Sequence, residues 1–241
     1  PAAERRQELR DWILETGIPH WAAVSAGEPR RARTIANRLS RMAVALAASD
    51  GDALLPECTS VLERLDTLPD GGRALREGHL AYSAAQRGYR EGRHGQALRD
   101  FRRAAKLLNR DTPCALMSRA HLALALYQTA GPALALKEIE AMLVEARGHQ
   151  YVGLEARAHW IAGVSLVDLG RWQQAMDAYD QAIHGFSKVA ARRHGCAVAR
   201  ASTDLLRAIG QLNQAWRFFD RAVSCMPDEV SPARRYVALF A

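Results

Sequence analysis

The 241-residue chain has few or none of several features that mark common protein classes. No apolar run reaches ~18 residues, the length that would suggest a membrane span, and no positively charged, then apolar leader opens the sequence. Aromatic residues make up only 7% of the chain, whereas alanine is abundant. This composition suits close helix packing and suits strands poorly, so it favours an all-α fold without a membrane span.

Cysteine is also scarce, with four residues that lie far apart: Cys58, Cys114, Cys196 and Cys225. None belongs to a C-x-x-C pair, so the spacing indicates neither a disulfide framework nor a zinc site. We therefore expect a reducing compartment, the cytoplasm, and a buried, inert thiol at Cys196.

Motifs that carry catalysis or cofactor binding are missing as well. The chain contains no glycine-rich phosphate loop, no G-x-S-x-G and no H-E-x-x-H. None of its eight histidines lies at ligand spacing from a cysteine, and His149 and His159 would point to different sides of one helix. Neighbours such as His194 and Cys196 seldom face each other as a thiol–imidazole pair. We predict no catalytic residues, no metal site and no cofactor, and hence no enzyme.

Lysine is nearly absent, so the net charge of +7 comes almost entirely from arginine. The positive excess is spread along the chain. Two predicted helices carry basic clusters that could neutralise phosphates, namely Arg30, Arg31, Arg33, Arg38 and Arg41 on one and Arg99, Arg102, Arg103, Lys106 and Arg110 on the other. Because such charge runs usually form solvated faces, nucleic acid is not the expected partner.

A period of about 40 residues runs through the chain. Glycines recur at intervals of 41, 39, 39 and 40 residues, at Gly51, Gly92, Gly131, Gly170 and Gly210. Small and large side chains recur in step after four of them: Ala97, Ala135, Ala175 and Ala215, each followed four residues later by Phe101, Ile139, Tyr179 and Phe219. A spacing of four places both members on the same side of a helix. The pattern predicts repeated helical hairpins that turn at the glycines.

Residues 163–183, GVSLVDLGRWQQAMDAYDQAI, resemble the centre of a tetratricopeptide repeat. Small Gly163 would let the paired helix approach closely, and Leu166, Trp172 and Tyr179 would fill the volume between the two helices. The resemblance implies an all-α, right-handed α-solenoid of stacked hairpins, because one hairpin cannot bury its apolar face alone.

The chain departs from the family pattern in two respects. Its repeats are about 40 residues long instead of 34, as in long-repeat relatives from kinesin light chains, peptide-sensing bacterial regulators and regions beside caspase-like protease domains. The first hairpin has lost its alanine anchors. We divide the chain into an N-terminal capping helix and connector (1–28), a degenerate hairpin (29–72), four repeats (73–228) and a C-terminal capping helix or truncated repeat (229–241).

Helix limits follow from glycine and proline. Gly17 is expected to end the first helix and Pro19 to prevent its continuation, which leaves Trp21 in an irregular connector. The predicted helices span 4–16, 30–49, 52–68, 73–91, 94–109, 113–129, 133–147, 150–169, 171–187, 191–209, 211–225 and 232–240.

The resemblance also implies a binding surface. In tetratricopeptide proteins the first helices of successive repeats line a concave groove. The matching positions here are Tyr82, Gln86, Tyr89, Arg90, Ser118, His121, Gln128, Arg157, Trp160, Val164, Arg200, Asp204 and Arg207. Tyrosine, tryptophan and arginine dominate interface energetics, so we place the centre of the groove at Trp160, which would otherwise be core between two repeats. The family's asparagine clamp for a C-terminal carboxylate is missing, so that activity is not expected.

Two functions follow from this reading. The first is a protein-interaction module, a scaffold or adaptor, that binds a peptide or protein segment with acidic residues flanking an apolar one. The alternative is a regulatory or sensor domain of a larger protein, such as a ligand-sensing transcription regulator or a caspase-like protease. The sequence leaves the oligomeric state open.

Overall fold

The computed structural model describes residues 2–64, 67–68, 70–108 and 112–223, and the regular structure within these ranges is helical, without strands. The all-α prediction is therefore confirmed for the described residues, while the helix expected over 232–240 lies outside them. The helices are α1 (Ala2–Trp12), a π-helical segment (Ile13–Gly17), α2 (Ile18–Val24), α3 (Pro29–Asp50), α4 (Leu54–Glu63), α5 (Arg73–Arg90), α6 (His94–Leu107), α7 (Thr112–Ala130), α8 (Pro132–His149), α9 (Val152–Asp168), α10 (Trp172–Lys188), α11 (Arg192–Ala208) and α12 (Leu212–Val223).

All five periodic glycines lie between helices, and all have positive φ: Gly51 (73°), Gly92 (76°), Gly131 (95°), Gly170 (71°) and Gly210 (78°). Glycine has no Cβ, so it enters this region at little cost, whereas other residues are strained there. The prediction that these glycines mark the helix turns is confirmed.

From α5 to α12, each helix packs against the next one along the chain. The alanine and aromatic positions of the repeat fill the resulting core, as shown by Ala97, Phe101 and Ala175, which are all fully buried. Gly163 is needed for close approach, because a Cβ at this position would collide with the ring of Tyr179 on the paired helix. The sequence-predicted role of Gly163 is thus observed.

Neighbouring first helices of successive hairpins, α5, α7, α9 and α11, also contact one another, whereas within the described residues the second helices make no contacts of similar extent among themselves. The first helices therefore lie together on one side of the hairpins. We refer to their common surface as the first-helix face.

The N-terminal segment, by which we mean residues 2–64 with helices α1 to α4, differs from its prediction around Gly17. The chain stays helical through Gly17, whose φ of −63° is that of an ordinary right-handed helix. Gly17 allows close packing instead of ending a helix, since a Cβ there would lie 2.5 Å from Cδ2 of Leu39. Pro19 lies in the first turn of α2, directly after the π-helical segment, and the chain continues as a helix through it. Trp21 is therefore helical and fully buried, not part of an irregular connector.

The hairpin of α3 and α4 forms around Gly51 as expected, and beyond its hairpin partner α4 also packs on α7 and α9, near their N-terminal ends. The Asp52 carboxylate accepts hydrogen bonds of 3.0 Å from the backbone N–H groups of Leu54 and Gly153. The Tyr151 hydroxyl donates to Glu57. These contacts place α4 and the turn before it against the start of α9.

The cysteines also differ from their prediction. Cys58 of α4 and Cys114 of α7 form a disulfide with their Cα atoms 6.0 Å apart. Cys196 is half-buried and likewise disulfide-bonded, so the expected inert thiol at this position was wrong. The cysteines looked unrelated because their spacing in sequence says nothing about how α4 folds back onto α7. Cysteine spacing therefore gives no support for a reducing compartment.

Candidate functional site

Polar side chains join neighbouring first helices across about one repeat. Tyr82 Oη lies 3.2 Å from His121 Nδ1, across a sequence separation of 39 residues. Arg157 Nη2 donates to His194 Nε2 at 3.4 Å, across a separation of 37 residues. Both separations are close to one repeat, so the structure brings the predicted residues Tyr82, His121 and Arg157 together on one face. Sequence reasoning missed His194, which lies near the start of α11.

A second row of contacts lies nearer the C-terminal ends of these helices. Tyr127 Oη donates to Asp168 at 2.5 Å, which together with burial raises the pKa of Tyr127 to about 12. Gln128 makes a side-chain hydrogen bond with Tyr89. The predicted pair Tyr89 and Gln128 thus connects α5 to α7.

The hydrogen bonds of His121 define its neutral form. Its Nδ1 lies 3.0 Å from the carbonyl oxygen of Met117, a contact that requires a proton on Nδ1. Gln86 Nε2 donates to Tyr82 Oη at 3.0 Å and extends the network. Burial and the positive charge of Arg157 disfavour the imidazolium and lower the pKa of His121 to about 3.

The same causes act on His194. Burial, followed by Arg157 and Arg193, lowers its pKa to about 4. Its ring stacks on Phe186 with the centroids 5.1 Å apart. The two histidines therefore act as neutral hydrogen-bonding groups at physiological pH.

A cavity of about 100 Å³ lies between the first-helix face and the N-terminal segment. Its polar lining comes from both sides: Gln7, Arg10, Asp11, Glu15, Asp50 and Asp52 from the N-terminal segment, and Tyr82, Gln86, His121, Arg157 and His194 from α5, α7, α9 and α11. This volume has room for several water molecules, and the polar lining offers them partners.

Helix α1 closes this cavity by lying across the first-helix face. Glu4 and Glu8 each place a carboxylate oxygen 3.7 Å from Nη2 of Arg193, at the start of α11. Just beyond α1, Glu15 accepts from Arg90 Nη1 at 3.0 Å, at the end of α5. The segment thus spans the face from its last first helix to its earliest one.

Arg10 holds the middle of this segment. Its Nη1 donates to the carbonyl oxygen of Val189 at 2.8 Å, and its guanidinium pairs with Asp50 of α3. Both charged side chains are largely buried, so each compensates the other's loss of hydration.

The part of the face beyond α1 stays accessible. Trp160 is half-buried, with its ring centroid 6.3 Å from Phe186 and 6.1 Å from His194. Val164 is half-buried, while Arg200, Asp204, Arg207, Gln128 and Arg90 are exposed. Ser118 is fully buried and cannot line a groove. Its inclusion among the groove residues was wrong by one helical position, since the neighbouring Met117 lines the cavity.

A second, wider groove lies on the outer side of the N-terminal segment, between α1–α2 and α3. Its lining includes four of the arginines on α3, Arg30, Arg31, Arg38 and Arg41, together with exposed Trp12. Arg31 is paired with Glu28. The basic cluster noted in the sequence is exposed to solvent, as expected for a solvated face, and it borders this groove.

Within the described residues, no group of three histidine, cysteine, aspartate or glutamate side chains is arranged to hold a metal ion. In the same part of the chain, no helix combines the length and apolarity that a bilayer span requires. No protein-family model matches the sequence, and no curated protein matches it.

The lowered histidine pKa values predict that acid destabilises the fold. Between pH 6.5 and about 4, the unfolded chain binds protons at His121 and His194 that the folded chain does not bind. The free energy of unfolding therefore falls as pH decreases, by about 1 kcal/mol per histidine between pH 7 and 5.5. Asp11 and Asp52, whose pKa values are raised by burial, act in the opposite direction at lower pH.

Urea denaturation at pH 7 and 5.5 measures this loss of stability. His121→Gln keeps a hydrogen-bonding side chain but does not titrate, so its loss should be about 1 kcal/mol smaller than that of the wild type. His184→Gln, at an exposed position, serves as the control and should follow the wild type. Equal pH dependence in all three proteins would contradict the prediction.

Proposed function

We propose that the chain is a tetratricopeptide-like α-solenoid and works as a protein-interaction module. Its first-helix face would bind a helical peptide or protein segment that carries acidic and apolar residues. The observation that carries the proposal is the placement of a helix, α1, across this face. Its Glu4 and Glu8 lie at Arg193, and Glu15, just beyond α1, pairs with Arg90. A surface that accommodates one acidic helix has the shape and charge to accommodate another.

The accessible part of the face adds the apolar component. Trp160 offers a partly exposed ring beside Val164, and Arg200 lies on the neighbouring first helix without a carboxylate partner among the described residues. Arginine can grip a carboxylate through two donors and also stack on an aromatic ring. Burying the exposed part of the tryptophan ring would supply ~1–2 kcal/mol of binding free energy.

The alternative, a regulatory or sensor domain of a larger protein, is supported by a different observation. The first-helix face and the N-terminal segment enclose a polar cavity, which is where a small effector would have to bind. The present residues do not single out a chemical class for it, because arginines and carboxylates both line the space. The interaction module is therefore the better-supported function.

A defined peptide array tests the proposal. One set contains helical 15-residue peptides with glutamates flanking leucine or phenylalanine, and a matched set carries lysine in place of glutamate. The acidic set should bind the wild type, and Arg200→Glu should weaken that binding about tenfold, the effect of ~1.4 kcal/mol. Arg38→Glu, in the outer groove, is the matched control. Preference for the lysine set, or equal effects of the two reversals, would argue against binding at the first-helix face.

Trp160→Ala separates a binding role from a packing role. The half-buried ring contacts Phe186 and His194, so we expect a stability loss of roughly 1–2 kcal/mol, below the ~3–5 kcal/mol typical of core tryptophan truncations. Binding to the acidic peptides should fall about tenfold or more. Chemical denaturation and fluorescence anisotropy measure the two effects on the same protein. A loss above ~4 kcal/mol with unchanged binding would identify Trp160 as core.

A further inference from the structure

Helix α1 is held on the molecule mainly by polar contacts. Among its described side chains only Gln7 is buried, and its Oε1 atom has no hydrogen-bond partner. Leu9 is half-buried and Trp12 is 47% exposed. The core begins directly afterwards, at Ile13, which is fully buried. An element with so few buried apolar contacts opens at much lower cost than the rest of a fold.

The acidic residues of this segment share one helical side. Glu4, Glu8, Asp11 and Glu15 follow the spacing i, i+4, i+7 and i+11, which places them in one row along a helix. The row lies on the first-helix face, where Arg193 meets its start and Arg90 meets its end. In the middle, Asp11 and Arg157 line the same cavity. Arginines from α5, α9 and α11 thus follow the acidic row.

We propose that α1 fills the partner-binding site of its own chain, on the first-helix face. A partner helix with the same spacing of acidic residues displaces it. The inference rests on the proposed function and specifies its partner: an amphipathic helix with acidic residues at i, i+4 and i+7, the places that Glu4, Glu8 and Asp11 hold in α1. The contacts at the start of α1 suit such an exchange, because Arg193 and its two glutamates are each more than half exposed, and ion pairs of this kind are weak. The buried pair of Arg10 with Asp50 opposes the exchange and keeps α1 in place until a partner binds. A tethered helix still competes well because its local concentration is high.

Residues 13–24 remain in place in this exchange. Ile13, Ile18 and Trp21 are almost fully buried and anchor the segment to the core. Displacement therefore involves α1 alone, with the π-helical turn as the point where the chain departs from the folded core. Opening would uncover the half-buried Arg157 and release Arg193 from Glu4 and Glu8 for the incoming helix.

The test uses the full chain with the charge of its own α1 reversed. The variant Glu4→Arg/Glu8→Arg repels α1 from Arg193, while Glu140→Arg/Asp177→Arg reverses two exposed acids on second helices and serves as the control. The probe is a labelled synthetic peptide with residues 1–17 of this chain. Because α1 buries little apolar surface, the reversed variant should unfold at nearly the same denaturant concentration as the control.

The probe should bind the reversed variant at least tenfold more tightly than the wild type or the control. Adding Arg193→Glu to the reversed variant should abolish the gain, because that change removes the charge that the probe recognises. Equal affinity for all proteins, or no binding to any, would overturn the proposal. So would a wild-type dimer at the assay concentration that dissociates when α1 is reversed, since the occupant would then be α1 of a second copy.

Hydrogen exchange in the wild type separates this proposal from the proposed function. Amides of α1 should exchange at least a hundredfold faster than those of α3, which carries several buried residues. Equal protection of α1 and α3 would reject a displaceable helix, whereas the peptide array would still decide whether the accessible face binds acidic segments. Fast exchange of α1 together with a negative array would instead reject the proposed function.

Discussion

Replacing Cys58 and Cys114 together by alanine is expected to lower the free energy of unfolding by about 4 kcal/mol. Their disulfide closes a loop with a sequence separation of 56 residues. Cross-linking a loop of this length removes much of the freedom of the unfolded chain, and in the chain-entropy account the gain increases with loop length. Both side chains are buried, so the bond also fixes α4 against α7.

Urea denaturation of the wild type and the double variant, with and without reductant, measures this contribution. Reductant should destabilise the wild type strongly and the double variant much less. In the double variant only the disulfide of Cys196 remains to be reduced, so the difference between the two responses gives the contribution of the Cys58–Cys114 bond. Mass spectrometry after alkylation under denaturing, non-reducing conditions provides the independent check. Recovery of both cysteines as alkylated thiols from the untreated protein would refute the pairing.

Trp21→Ala is expected to cost about 3–5 kcal/mol, the usual range for truncating a buried tryptophan. Trp21 is fully buried, and its ring meets that of His79 edge-on, with a centroid distance of 6.1 Å and an interplanar angle of 89°. Because α2 packs on α5, this ring is the main apolar attachment of the N-terminal segment to the repeats. The loss combines the transfer free energy of the ring with the cavity that it leaves behind.

Trp12→Ala provides the matched control in the same segment. Trp12 is 47% exposed and borders the outer groove, so its truncation should cost less than about 1 kcal/mol. Chemical denaturation of both variants gives the comparison directly. A similar small loss at both positions would mean that the N-terminal segment does not pack on α5 in solution.

Much of the fold was accessible from the sequence because it depends on local rules. Gly92, Gly131, Gly170 and Gly210 could be assigned to turns because few other residues adopt positive φ without strain. Alanine followed four residues later by a large side chain describes one side of a helix, so the second helices and their buried residues could be predicted. Gly163 opposite Tyr179 followed from the same reasoning, since a glycine in a helix usually marks close packing.

The candidate site was only partly predictable. The repeat predicted that Tyr82, His121 and Arg157 share one face, and in the structure Tyr82 contacts His121 while Arg157 lines the same cavity. The acidic spacing of α1 was present in the sequence, but it reads equally well as a solvated helix face. Nothing local shows that such a helix turns back to meet Arg193, almost 190 residues further along the chain.

By itself, the sequence determined a helical chain with turns at periodic glycines, because backbone sterics and side-chain periodicity act over a few residues. The tertiary structure alone decided that the N-terminal segment covers the first-helix face, that Cys58 meets Cys114, and that Gly17 packs against Leu39 instead of ending a helix. These contacts join residues far apart in the chain, and they depend on how many helices pack together. No short stretch of sequence specifies that packing.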